Sequence, residues 1–190
     1  MIILTVLGLC FTFFTYTFQF APTVFADLLP AFAGLLALWY VSTKKQEKSR
    51  WFSDTGNTAV VFAVVHLLGY FAAFRDLLPK NTTFADSDIF RFLFTAIGTV
   101  YENGFLIFAA LSFIPIQFLC RAFGDIAEKD DNNFFKYVFY VFSWIYIALI
   151  IFNIVVTFVK LPFGEWVITY PIHAVFIIFT AIFMKKYDLD

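Results

Sequence analysis

Along this chain the apolar residues fall in long blocks, broken by short polar punctuation. A helix rises 1.5 Å per residue, so about 20 mainly apolar residues cross a hydrocarbon core near 30 Å. Six blocks approach that length: 2–20, 25–42, 58–74, 89–120, 137–159 and 166–184. The pattern predicts an all-α, polytopic transmembrane fold with six spans, in a single unit over residues 1–190. Four spans is the alternative, if the first two blocks or the fourth fail to cross.

The blocks differ in quality. Residues 2–20 carry no charge, and no Lys or Arg precedes them as a secretory signal would require, so a retained helix is expected. Pro30 belongs in the first turns of the short second block. The fourth block holds Arg91, Glu102 and Pro115 and is long for one upright helix. Two arrangements satisfy it: one long tilted helix, or an interfacial helix followed by a span from Glu102 to Cys120. Between the blocks lie a basic stretch, Lys44–Arg50, and a mixed hydrophilic stretch, Arg121–Asn133, both expected as loops.

Composition supports lipid as the solvent. The chain is 62% hydrophobic and 14% charged, where soluble domains average about 45–50% and about 25%. Thirty phenylalanines against eight glycines predict bulky lipid-facing and interhelical filling with few close backbone approaches. Ala33–Ala37 and Gly69–Ala73 have the spacing of such approaches. A net charge of −1 gives no bulk attraction to nucleic acid. Cys10 and Cys120 stand alone in apolar runs, with no metal or redox spacing.

Charge asymmetry sets the expected orientation. Lys44, Lys45, Lys48, Arg50, Arg121, Lys129, Lys136, Lys185 and Lys186 fall on one side of the six-block layout. Arg75, Lys80 and Lys160 fall on the other. The positive-inside rule then places both termini in the cytoplasm, of a bacterial inner membrane in the simplest case. On that side, Lys44, Lys45, Lys48, Arg50, Arg121, Asp125, Glu128 and Lys129 are the expected contacts for a partner protein.

Within the blocks, ionisable groups are costly and so are functional candidates. Arg91, Thr95, Thr99 and Glu102 recur at helical steps and share one face. They would line a polar pathway, contact a partner chain, or face headgroups from an interfacial helix. His66 and His173, the two histidines, fall at similar depth in different spans, as axial ligation of haem b or a proton-linked role requires. Asn81-Thr82-Thr83 has the form of a glycosylation acceptor.

No nucleophile, zinc-protease, phosphate-loop or Cys-x-x-Cys motif occurs. No catalytic residue, metal site or cofactor is therefore expected beyond the haem alternative. Arg50-Trp51-Phe52-Ser53-Asp54 resembles the arginine-then-Phe-Ser-Asp signature of the lysosomal and bacterial six-helix potassium channels. In those channels the signature lies within the first helix at wider spacing, so no function is carried over.

Three functions follow as expectations. The first is a small integral membrane subunit that oligomerises or assembles with a partner as a sensor, pore or anchor. Multi-protein bacterial systems such as antiviral defence use subunits of this size. The second is an ion or small-solute channel or transporter with its own polar pathway. The third is an electron-transfer subunit holding haem b through His66 and His173.

Overall fold

A computed structural model describes residues 1–14, 17–21, 24–27, 30–75, 107, 110–159 and 166–189. Six long helices and one β-hairpin are found among them. In chain order these are α1 (Ile2–Phe13), β1 (Thr17–Ala21), β2 (Val24–Asp27), α2 (Ala31–Lys44), α3 (Arg50–Arg75), α4 (Ile114–Lys129), α5 (Asn133–Phe158) and α6 (Trp166–Lys186).

The first two predicted spans are shorter than expected. Where residues 14–30 were assigned to two helix ends and a turn, β1 and β2 pair antiparallel, Thr17 opposite Asp27 and Gln19 opposite Phe25. Thr17, Phe18, Val24 and Phe25 favour strands, so strand pairing wins locally. That leaves α1 with 12 residues and α2 with 14, about 18 and 21 Å of helix. Neither crosses an ordinary hydrocarbon core alone.

Of the two hydrophilic stretches, 44–50 is a turn between α2 and α3, as expected, whereas 121–133 is largely helical. Arg50 opens α3, and α4 runs through Arg121 to Lys129. In α4 the polar residues Arg121, Asp125 and Glu128 step by four and three, while Ala122, Phe123, Ile126 and Ala127 are buried. An amphipathic period of this kind propagates a helix past the end of its apolar block. Only α5 and α6 are both long and apolar enough to span a membrane among the described residues, through Asn133–Val156 and Val167–Lys186. The expectation of six spans is thereby reduced to two helices of spanning quality.

Neighbouring helices run antiparallel. Along α3 and α4, Ser49 meets Asp125, Phe52 packs on Phe123, and His66 reaches Ser112 just before α4. Along α5 and α6, Phe135 packs on Phe183 and Tyr146 on His173. Phe14 meets Tyr170 while Phe13 meets Phe176, so α1 opposes α6 in direction as well. Phenylalanine supplies much of the filling, through a chain of tilted and edge contacts linking Phe123, Phe135, Phe139, Phe142, Phe176 and Phe183. Such rings prefer offset and edge geometries because their faces and edges carry opposite partial charge.

Helices α1 and α2 approach closely. A Cβ placed on Gly34 would lie 2.5 Å from the Gly8 carbonyl oxygen and 2.6 Å from Thr12 Oγ1. The contact uses Gly34 and Ala37, not the predicted pair Ala33 and Ala37. Gly34→Ala is expected to cost about 1–3 kcal/mol, as an overpacked interior does. Gly56→Ala, whose Cβ would meet nothing nearer than 3.5 Å, is expected to be tolerated. Thermal unfolding of the two variants in detergent compares them, and equal midpoints would show that the α1–α2 approach is not needed.

Candidate functional site

The basic residues collect at one end of the bundle, where α2 meets α3, α4 meets α5 and α6 terminates. Lys129 Nζ donates to the Lys48 carbonyl at 2.7 Å, and Ser49 Oγ donates to Asp125 at 2.9 Å. These two bonds tie the α2–α3 turn to the last turns of α4. Five of the expected partner-contact residues, Lys48, Arg50, Arg121, Asp125 and Lys129, are brought into one neighbourhood. Lys44 and Lys45 sit at the end of α2, with Lys44 exposed beside Tyr40.

Between α3, α4 and α5 this end opens into a cleft of about 360 Å³ lined by Arg50, Trp51, Arg121, Asp125, Tyr140, Ser143 and Trp144. The Trp51 indole lies under both arginines, whose guanidinium carbons stand 4.9 and 5.0 Å from the ring. The same ring also stacks on Phe118. No carboxylate forms an ion pair with Arg50 or Arg121 among the described residues.

Below the cleft, a buried polar relay joins α4 to α5. Gln117 Nε2 donates to Ser143 Oγ at 2.9 Å, and Arg121 Nε donates to the same oxygen at 3.4 Å. One hydroxyl has two acceptor lone pairs, so both donors are accommodated. At the cleft's edge, Glu128 accepts from Lys136 at 2.6 Å and from the Tyr140 hydroxyl at 3.0 Å. Tyr140 can lie this close to α4 because Gly124 opposes it; a Cβ there would sit 2.9 Å from the ring.

The Lys136 bond first, then the Tyr140 bond, holds the Glu128 carboxyl below its ordinary range. A depressed carboxyl contributes stability above its unfolded pKa and loses it as pH falls through the folded value. Glu128 is exposed, so solvent and salt keep that contribution small.

The histidines have protein partners. His66 Nε2 is 2.7 Å from Ser112 Oγ. His173 Nδ1 is 3.2 Å from the Tyr146 hydroxyl, and Phe13 stacks on its ring at 4.0 Å and 3°. The adjacent residues Ser112 and Phe113 thus each meet one imidazole. Axial ligation of haem b would have to use the other nitrogen of each imidazole on a common iron. Here His66 Nε2 is engaged and Phe113 packs against His173. Among the described residues no group of three His, Cys, Asp or Glu side chains is placed to hold a metal. Arg91, Thr95, Thr99 and Glu102 lie outside the described residues, as does the Asn81–Thr83 pattern.

Trp51, Tyr140, Ser143 and Trp144 carry the cleft and were not singled out from the sequence. Trp51 next to Arg50 was the available signal, because interface aromatics cluster with basic residues. Compared with known proteins, the chain matches no family model, no curated protein and no solved structure.

Two outcomes are expected. Ser143→Ala removes the shared acceptor of Gln117 and Arg121, both otherwise in a largely buried layer, and is expected to cost about 1–3 kcal/mol in unfolding free energy. A stability equal to wild type would show that water replaces the hydroxyl. Lys136→Gln is expected to raise the Glu128 titration midpoint, followed by carbon-detected NMR of labelled glutamate; an unmoved midpoint would contradict the 2.6 Å bond.

Proposed function

We propose that the chain is a small integral membrane subunit that assembles, with copies of itself or with a partner protein, through its basic end. The observation that carries this is the outward face of α5 and α6. Only 28% and 33% of their spanning windows are buried within the chain. Trp144 is 68% exposed, Ile151 58%, Ile178 58% and Phe158 76%. Water would not tolerate so large a continuous apolar surface, whereas lipid or a partner helix would cover it.

In this proposal α5 and α6 cross as an antiparallel hairpin, and α1 to α4 pack beside them. The basic end faces the cytoplasm of a bacterial inner membrane by the positive-inside rule. The subunit acts as a sensor, pore or anchor, and catalyses nothing itself. The exposed Lys44, Glu128 and Lys129 and the half-buried Lys45 are the contacts offered to the partner. No direct nucleic-acid contact is part of the proposal.

The test is membrane extraction followed by mass measurement. The full chain should resist alkaline carbonate and run in detergent, colourless, as a multimer or a complex. Release by carbonate would overturn membrane residence. A lone monomer at all detergent concentrations would overturn assembly, and a haem absorption band would replace this proposal with the electron-transfer alternative.

A further inference from the structure

The cleft at the basic end is built to receive one negatively charged group. Arg50 and Arg121 point the same kind of donor at it from α3 and from α4. Trp51 holds both guanidinium groups from beneath by cation–π contact, which spares their hydrogen atoms for another acceptor. Arg121 uses its Nε on Ser143 and keeps its terminal nitrogens. Ser143 accepts two bonds, so its own hydrogen is left to donate. Its hydroxyl lines the cleft and is buried.

The charge present selects the ligand further. Two guanidinium groups and the Asp125 carboxylate leave one net positive charge on the lining. That balances a phosphodiester, with a single negative charge, better than a doubly charged phosphate monoester. Arginine's planar fork matches phosphate oxygens in pairs. Trp144, exposed on the outer face of α5, forms one wall. Tryptophan is enriched at headgroup level in bilayers, with its ring among acyl chains and its N–H toward water.

We propose that this cleft binds the phosphodiester headgroup of a membrane phospholipid, with Arg50, Arg121 and Ser143 holding the phosphate oxygens and Trp51 and Trp144 enclosing it. The proposal rests on membrane residence, which carbonate extraction tests separately. The same phosphate chemistry is found in soluble phosphates, so the test includes them.

The purified full chain in a neutral detergent is titrated with short-chain phosphatidylglycerol, with sn-glycerol 3-phosphate and with inorganic phosphate, following tryptophan fluorescence. Phosphatidylglycerol should saturate the signal. Arg50→Gln with Arg121→Gln should weaken it at least tenfold. Lys185→Gln with Lys186→Gln, an equal charge change on exposed residues outside the cleft, should shift it by less than twofold. Arg50→Gln alone, at an exposed position, keeps the test valid where the double variant fails to fold, and should weaken binding severalfold. Saturation by the soluble phosphates at the same concentration would support the phosphate site and assign it a soluble ligand. Equal affinity in wild type and the cleft variants, or equal loss in both double variants, would overturn the proposal. Carbonate resistance together with that result would refute the headgroup site while leaving membrane residence intact.

Discussion

Helix α4 is enclosed on most sides, yet its last three turns carry Arg121, Asp125, Glu128 and Lys129. Charges cannot be left unpaired among apolar neighbours, since burial strips their hydration. Much of the bundle's polar end is arranged to meet that constraint. Asp125 takes the Ser49 hydroxyl, Lys129 caps the Lys48 carbonyl, and Glu128 is held by Lys136 and Tyr140. Arg121 leans on Trp51 and Ser143. The contacts that satisfy α4 are the same ones that bind the α2–α3 turn and the start of α5 to it.

This explains why the helical register persists through a stretch that looks hydrophilic. An amphipathic helix with its charges on one stripe needs that stripe to face water or partners. The tight turn after Lys129 reverses the chain, with Asn132 accepting from the Phe135 amide to cap α5. Antiparallel return then puts Lys136 and Tyr140 opposite Glu128, and Ser143 opposite Gln117 and Arg121.

The sequence made parts of this legible and left others hidden. The fifth and sixth apolar blocks matched α5 and α6 within a few residues because they are long, uniformly apolar and bounded by polar turns. Residues 14–30 misled, since apolarity alone does not separate a helix from a strand of aromatic and β-branched residues. Arg50, Arg121 and Asp125 were recognisable as contact residues from charge. That they share a cleft was not, because the pairing of α3 with α4 depends on packing between residues more than 60 positions apart. The similar depth of His66 and His173 in the sequence says nothing of their partners. Ser112, Tyr146 and Phe13 take up the imidazoles.

The scarcity of glycine bears on how such a bundle stays together. Membrane helices commonly associate through small residues that let backbones meet. Among the described residues that device is found at Gly8 and Gly34 between α1 and α2, and at Gly124 beneath Tyr140. Elsewhere large rings separate the helices, and His173 lies parallel to both Phe13 and Tyr146, which also stack on each other. Ring contacts are strong in sum but tolerant of small shifts, whereas the hydrogen bonds at the basic end are directional. Register between α3, α4 and α5 is therefore set at the polar end and filled in by phenylalanine below it. A ligand in the cleft would touch all three of those helices, at the place where their register is determined.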